Sequence, residues 1–444
     1  MPSDRYGLSV STSSQAACDA YVAGADCLLA ATAGFREHLG HAIEADPAFA
    51  LPHVALARGL FLDAEVAPAR EVAARARELG RSATPREQSH VNALALGLEG
   101  KPVDALAATQ AHLAEWPRDA MVLAPATGVF GLIGFSGHQE RELELYDLLR
   151  GLAPYYGEDW WFQCMFAFAA CECGRLDEAW RLIEASTAAN PRNAHGAHVR
   201  VHVLHEMGEM ARAFEYLERW MPGFDRHGLL HCHLSWHVAL TALSLGKLER
   251  AWQAYRTDIH PGGSWGPPLN VVTDSAAFLW RAELAGGPRQ PELWREVHAY
   301  ALRSFPKAGV PFADVHTTLA CVAGGDHAGL ERLVGEMRDR IAAGRYPAGS
   351  VVATIAEGFG AYASSDWDRA IGQFERALPE TVRIGGSRAQ RDLVEHTLLA
   401  AYLKAGRPEE ARELIARRTD RRATVVVAGF DSRLTKASMI GSDF

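Results

Sequence analysis

The fold predicted for this chain of 444 residues is all-α, a solenoid of about nine to ten stacked helical hairpins. Three observations predict it. One short motif recurs along the chain. Its copies are spaced about 34 to 41 residues apart, the length of one hairpin. The stretches between hairpins are rich in turn formers. In each copy an apolar helix ends at Gly, a few polar residues follow, and Ala stands five positions after the Gly, inside the next helix. Gly ends the first helix because it adopts the left-handed conformation at little cost. The small Ala side chain lets the second helix approach closely.

In chain order the copies are GKPVDA from Gly100, GRLDEA from Gly174, GEMARA from Gly208, GKLERA from Gly246 and GRPEEA from Gly406. SDWDRA from Ser365 is a further copy, and weaker matches at Gly137, Gly286 and Gly325 fill the gaps. DPAFALP, EWPRDA, ANPRNA, HPGGSWGPP and YPAGS read as the turns between hairpins. HPGGSWGPPLN, residues 260 to 270, is unusually long and rigid; it reads as a loop folded over a ligand or as the cap of a hydrophobic gap. From about Arg417 the beat is lost. The expected organisation is therefore one array over residues 1–420 and an irregular tail over 421–444.

Composition narrows the function classes. The formal charge of −9 and the absence of a Lys/Arg run argue against a nucleic-acid partner. No stretch reaches the roughly 18 apolar residues of a membrane span. Asp19 and Asp26 interrupt the one N-terminal stretch that resembles a secretory signal. The seven cysteines form no CxxC pair, which fits reduced thiols. A cytoplasmic location, with neither membrane nor nucleic acid as partner, is the expectation.

The histidines acquire a geometry once each is counted back from the Gly that ends its helix. His198 and His202 lie ten and six positions before Gly208, and His233 and His237 lie thirteen and nine before Gly246. Asp274 lies twelve before Gly286, Asp314 and His316 lie eleven and nine before Gly325, and His396 lies ten before Gly406. These offsets recur with helical period, so the groups share one face of the first helix of each hairpin. Two HxxxH pairs result, His198/His202 and His233/His237, each able to share a ligand or a metal ion. Asp274, Asp314, His316, Glu172 and Glu206 supply oxygen ligands or a general base in the same reading. The bland alternative stands beside it: inward histidines often only satisfy backbone or carboxylate partners. His195, His205, His227 and His231 are assigned to solvent or to caps.

The Gly-to-Ala beat resembles the tetratricopeptide repeat, whose hairpins stack into a right-handed superhelix with the first helices lining the concave side. The stretches HVRVHVLHEMGE, HLSWHVAL, DSAAFLWRAELAG, FADVHTTLACVAG and IGGSRAQRDLVEHTLLAAYLKAG, in this order, resemble the tetratricopeptide repeat protein 38 family. EADPAFALPHVALA, TPREQSHVNALA and WPRDA extend the resemblance to about residues 35–420. It implies a complete solenoid with a polar interior. The motif positions it carries over are His198, His202, His233, Trp236, His237, Asp274, Trp280, Arg281, Asp314, His316, Gly385, Gly386, Ser387, Gln390, Arg391 and Asp392. Ser235 stands where the family often has Trp, and HTTLACVAG replaces a Met-rich run, so no relative's substrate is transferred.

GGSRAQRD, residues 385 to 392, admits two readings. Two glycines and a serine entering a helix form an anion nest, with Arg391 pairing a carboxylate or phosphate. Ser387 with Gln390 three residues on is equally a capping box.

The expected function is a pocket that binds, and acts on, a small organic molecule by acid–base or hydrolytic chemistry. His198, His202, His233, His237, Asp274, Asp314 and His316 are the candidate catalytic groups. Trp236, Trp265, Trp280, Arg281, Ser387, Gln390 and Arg391 are the candidate ligand contacts. A divalent metal such as zinc, if bound, falls to His198, His202 and His237. The rival is a non-catalytic scaffold that binds a peptide or protein partner, or a second copy of itself, in its groove. A serine nucleophile lacks a GxSxG elbow, and Cys232 cannot form a dyad with its immediate neighbours because successive helical residues point apart.

Overall fold

The computed structural model describes residues 2–417 and 426–430. Of the tail expected over 421–444, only 426–430 fall within the described residues. Among these residues there are 22 α-helices and no strand, apart from one isolated bridge between Ser3 and Ser9.

The chain divides into two compact units. The first comprises the described residues up to Gly134, Glu142–Arg200 and Gly223–His231. The second comprises Phe135–Arg141, Val201–Pro222 and the described chain from Cys232 onward.

The first unit is built from hairpins. These are α1 (Gln15–Ala30) with α2 (Phe35–Ala45), α3 (Ala50–Leu62) with α4 (Val66–Gly80) and α5 (Pro85–Leu98) with α6 (Pro102–Glu115). After the short α7 (Ala120–Leu123) and α8 (Arg141–Tyr156), α9 (Trp160–Glu172) pairs with α10 (Leu176–Ala189). The division between the units falls inside α11 (Ala194–Glu206), between Arg200 and Val201.

In the second unit come α12 (Met210–Trp220), α13 (His231–Ser244) and α14 (Leu248–Ala254). Four hairpins follow: α15 (Pro268–Leu284) with α16 (Pro291–Ser304), α17 (Pro311–Gly324) with α18 (His327–Ala342), α19 (Val351–Ala363) with α20 (Trp367–Ala377), and α21 (Arg388–Lys404) with α22 (Pro408–Ala416). Within each unit the fold is all-α, built of helical hairpins in which successive helices pack on one another.

The recurring motif makes the corners as its chemistry requires. Gly100, Gly174, Gly208, Gly246 and Gly406 all have φ between 71° and 80°, the left-handed region that costs L side chains energy. Ser365 holds φ 59° in the one strong copy that lacks Gly. The Ala five positions on, at Ala105, Ala179, Ala213, Ala251, Ala370 and Ala411, is 0% exposed in every case. Any larger side chain there would push the two helices of the hairpin apart.

Burial separates the two helices of a hairpin. α15 and α17 are buried around nearly their whole circumference, whereas α12 and α20 bury one stripe. Asp274, Asp314 and His316 therefore ride into the interior on helices that are otherwise apolar.

Polar anchors hold the hairpins in place. In the first unit Asp119 Oδ2 accepts from Arg86 at 2.7 Å and lies 2.9 Å from His90 Nδ1 and 3.1 Å from His112 Nε2. All four side chains are buried. Arg86 also donates to the Ser9 carbonyl, and Glu87 accepts from the Ser11 N–H, so the N-terminal segment is tied to the start of α5. In the second unit a clasp joins residues far apart in sequence. Arg141 donates to the carbonyls of Val382 and Gly386, Gln139 donates to that of Pro379, and Arg383 donates back to that of Gly137. Gly137, expected as a weak copy of the hairpin motif, serves this clasp instead: a Cβ there would lie 2.2 Å from the Pro347 carbonyl oxygen.

Candidate functional site

The second unit gathers three histidines from two helices. α11 brings His202, and α13 brings His233 and His237, which lie one turn apart on one face. The His202 and His237 rings meet edge to face with centroids 4.6 Å apart, and His233 and His237 do the same at 4.9 Å. Each of the three offers a ring nitrogen within 4.8 Å of the others. All three are at most 3% exposed. His198 stands one turn before His202 on the unbroken α11, its ring edge-on to Phe168.

Asp274 on α15 orients the centre. Its two carboxylate oxygens lie 2.9 and 3.1 Å from His233 Nδ1. An ionised carboxylate accepts only, so His233 donates to it from Nδ1. Burial raises the Asp274 pKa, and His233 opposes that rise. Burial, reinforced by repulsion from His202, His233 and His205, holds the His237 pKa well below the usual histidine range. The ring is therefore neutral, the form that coordinates metals. Trp236 is 0% exposed and walls the group, stacked on His233 with centroids 5.4 Å apart and edge-on to His237 at 4.9 Å.

The remaining expected site residues have identifiable partners. Asp314 accepts from the Tyr346 hydroxyl at 2.6 Å and from the Gly309 N–H at 2.9 Å, and burial pushes its pKa up to about 6. His316 Nδ1 lies 2.8 Å from the carbonyl of Phe312 on its own helix, and burial lowers its pKa to about 4. Trp280 donates to Thr397 Oγ1 at 2.9 Å and packs against Trp294, Phe359 and Tyr362. Trp265, on the 260–270 loop, is 46% exposed.

GGSRAQRD contains the capping box: Ser387 Oγ accepts from the Gln390 N–H, and the Gln390 side chain accepts from the Ser387 N–H. Arg391 and Arg141 both donate to the Gly386 carbonyl. Arg281 donates to the Ala389 carbonyl and lies 2.9 Å from His396 Nδ1, pinning α15 to the start of α21. Charged pairs link α21 to the end of α11: Arg388 Nε lies 3.8 Å from Glu206, and His205 Nε2 lies 4.0 Å from Asp392.

Three assignments change. His205 and His231, expected at solvent or caps, are buried, and His195 is partly buried. The buried Asp119 group was not anticipated, although TPREQSHVNALA and WPRDA contain Arg86, His90 and Asp119. Only the spacing of a hairpin, which brings the end of α6 beside α5, could have joined them.

No protein-family model matches the chain. Among solved structures, one titled "Structure of Naa15/Naa10 bound to HypK-THB" aligns with 90% of this chain and 63% of that one, at 14% sequence identity and a TM-score of 0.22. The chain thus spans less than two thirds of the length of that neighbour. No helix among the described residues is long and apolar enough to cross a membrane.

Proposed function

We propose that His202, His233 and His237 hold a divalent metal of zinc type, and that the protein binds and acts on a small organic molecule there by metal-assisted acid–base or hydrolytic chemistry. The observation that supports this is the His233–Asp274 pair. A carboxylate bonded to the far nitrogen of a ligating histidine fixes tautomer and ring direction, the usual outer partner of a histidine ligand. Three histidine ligands would leave a fourth position for water or substrate, as catalytic rather than structural zinc sites do. His198 and His202 lie one turn apart on α11.

A bound metal of this class lowers the pKa of its water to about 7 and so supplies hydroxide at neutral pH. The chain's own residues do the rest. Asp274 keeps His233 directed at the centre, Trp236 excludes water from one side, and burial strengthens each polar contact. The ordered stretches that resemble the tetratricopeptide repeat protein 38 family include all of these positions, and we place the chain with that family on the same footing.

Elemental analysis of untagged protein tests the reading. The native chain is expected to carry close to one metal ion per molecule after equilibration with zinc, and a His202→Ala/His237→Ala variant of unchanged helicity is expected to carry none. A native chain that retains no zinc, cobalt or manganese would refute the metal centre and return the helical surface to peptide or protein binding.

A further inference from the structure

A second group of metal-ligating side chains lies in the second unit, at the corner between α17 and α18, where the recurring motif is weak. GGDHAGL, residues 324 to 330, keeps a left-handed Gly, Gly325 with φ 76°, but carries Leu330 where the strong copies carry a buried Ala. Asp326 follows that Gly and caps α18, its Oδ1 accepting from the Gly329 N–H at 2.8 Å. Its Oδ2 lies 3.0 Å from Nε2 of His298, which comes from α16. Cys321, in the last turn of α17, is 0% exposed and completes the group. One ligand atom from each of His298, Cys321 and Asp326 lies within 4.8 Å of the other two.

Three features set this group apart from an ordinary cap. His298 reaches the corner because Gly324 stands there: a Cβ at Gly324 would lie 3.2 Å from His298 Cγ. The His298 and Asp326 atoms, 3.0 Å apart, are already near the separation of about 3.3 Å that two such ligands hold on one tetrahedral ion. The third donor is a buried free thiol directed at the same pair. Burial, reinforced by the Asp326 charge, pushes the Cys321 pKa up to about 12, opposed only by the Arg332 charge. Cys321 is therefore protonated until a cation takes the place of its proton: the S–H bond breaks, a sulfur–metal bond forms, and the proton leaves to solvent.

We propose that His298, Cys321 and Asp326 bind a thiophilic divalent cation of the zinc class, with solvent in the fourth position. A thiolate selects zinc, cobalt or cadmium over magnesium and calcium, and imidazole and carboxylate are both zinc ligands. A divalent ion between one thiolate and one carboxylate leaves no net charge at the corner. It would also join α16, α17 and α18 through one atom. The His298 and Asp326 side chains are 21% and 29% exposed, so the ion enters from solvent and exchanges with it. Occupancy is therefore read by titration, unlike that of an ion retained at the buried histidine centre. The two sites share no residue, so the two proposals stand or fall separately.

Cobalt(II) titrated into the reduced full chain provides the test, because a cobalt–thiolate bond gives a near-ultraviolet charge-transfer band that a centre made of histidines cannot give. The native chain is expected to develop that band to saturation, to lose it to added zinc, which binds such ligands more tightly than cobalt, and to keep it in magnesium. In Cys321→Ser the band is expected to vanish. Asp326→Asn keeps a side chain that caps α18 as well as Asp does, and His298→Ala removes a partly exposed ring, so neither threatens the fold. Each is expected to raise the half-saturating cobalt concentration about tenfold or more, at least the cost of losing an outer partner of a ligand. Far-ultraviolet circular dichroism checks the fold of every variant, and a Cys321→Ser chain that does not fold leaves the decision to the other two. A native chain with no thiolate band at saturating cobalt overturns the proposal, as does a band that survives in a folded Cys321→Ser chain. A half-saturating concentration unchanged in His298→Ala or in Asp326→Asn overturns it too, and leaves the His298–Asp326 pair as a cap contact.

Discussion

Asp274→Asn isolates the orienting carboxylate from the ligands it serves. The substitution keeps the shape of the side chain and removes its charge, while His202, His233 and His237 are left intact. Asp274 is 1% exposed, and both its oxygens lie within 3.1 Å of His233 Nδ1. At that depth the contact is shielded from bulk solvent. Loss of such an outer partner weakens metal affinity by about 10- to 100-fold, or about 1.4 to 2.7 kcal/mol. Removing the ligand itself in His233→Ala should cost more. Competition with a chromophoric zinc chelator at pH 7 measures all the constants on one scale. Because Asp274 acts through His233, the double variant should bind no more weakly than His233→Ala alone. An Asp274→Asn affinity within twofold of native, or a double variant distinctly worse than His233→Ala, would refute the reasoning.

Two further predictions concern stability. Asp119→Ala leaves Arg86 as a buried unpaired cation and should cost about 3–5 kcal/mol by urea unfolding, with Arg86→Met/Asp119→Leu recovering much of that loss. Although burial pushes the Asp119 pKa up, His90, His112 and Arg86 together hold it well below the ordinary 3.8. A depressed carboxylate stabilises the fold above its unfolded pKa and loses that contribution as pH falls through its folded value, so the native chain should weaken below about pH 4 while Asp119→Ala shows a flatter profile. Gly386→Ala introduces a Cβ 2.3 Å from the Phe312 ring at φ 73°, whereas Gly344→Ala at φ 64° meets open space. Both pay for the left-handed backbone, and the first should lose about 1–3 kcal/mol more through overpacking, read as a lower Tm.

The hairpins were legible because their signal is local. A left-handed Gly and a buried Ala five residues later depend on one corner of chain, and every strong copy of the motif places that Ala at 0% exposure. Counting back from the same Gly also brought out His202, His233, His237 and Asp274, since helical period is a property of sequence alone. What stayed hidden depends on partners far along the chain. Asp314 carries the same kind of offset as Asp274, yet it accepts from Tyr346, 32 residues on. Arg281 is held by the Ala389 carbonyl and lies beside His396, more than a hundred residues away. Trp280 and Trp265 look alike as aromatic motif residues, but one lies in a cluster of rings and the other is nearly half exposed. His195 carries the same offset of thirteen as His233 but stands as the second residue of its helix, beside the preceding turn.

The clasp between Arg141 and the Gly386 turn bears on how the protein is made. Repeat arrays whose contacts stay between neighbours can fold progressively as they leave the ribosome. Here the Arg141 guanidinium emerges 245 residues ahead of the carbonyl that accepts it. At about 5–20 residues per second, that is a wait of roughly 12–50 s. Through that interval Gln139 and Arg141 lack these acceptors, and the clasp cannot close until the chain has been made as far as Gly386.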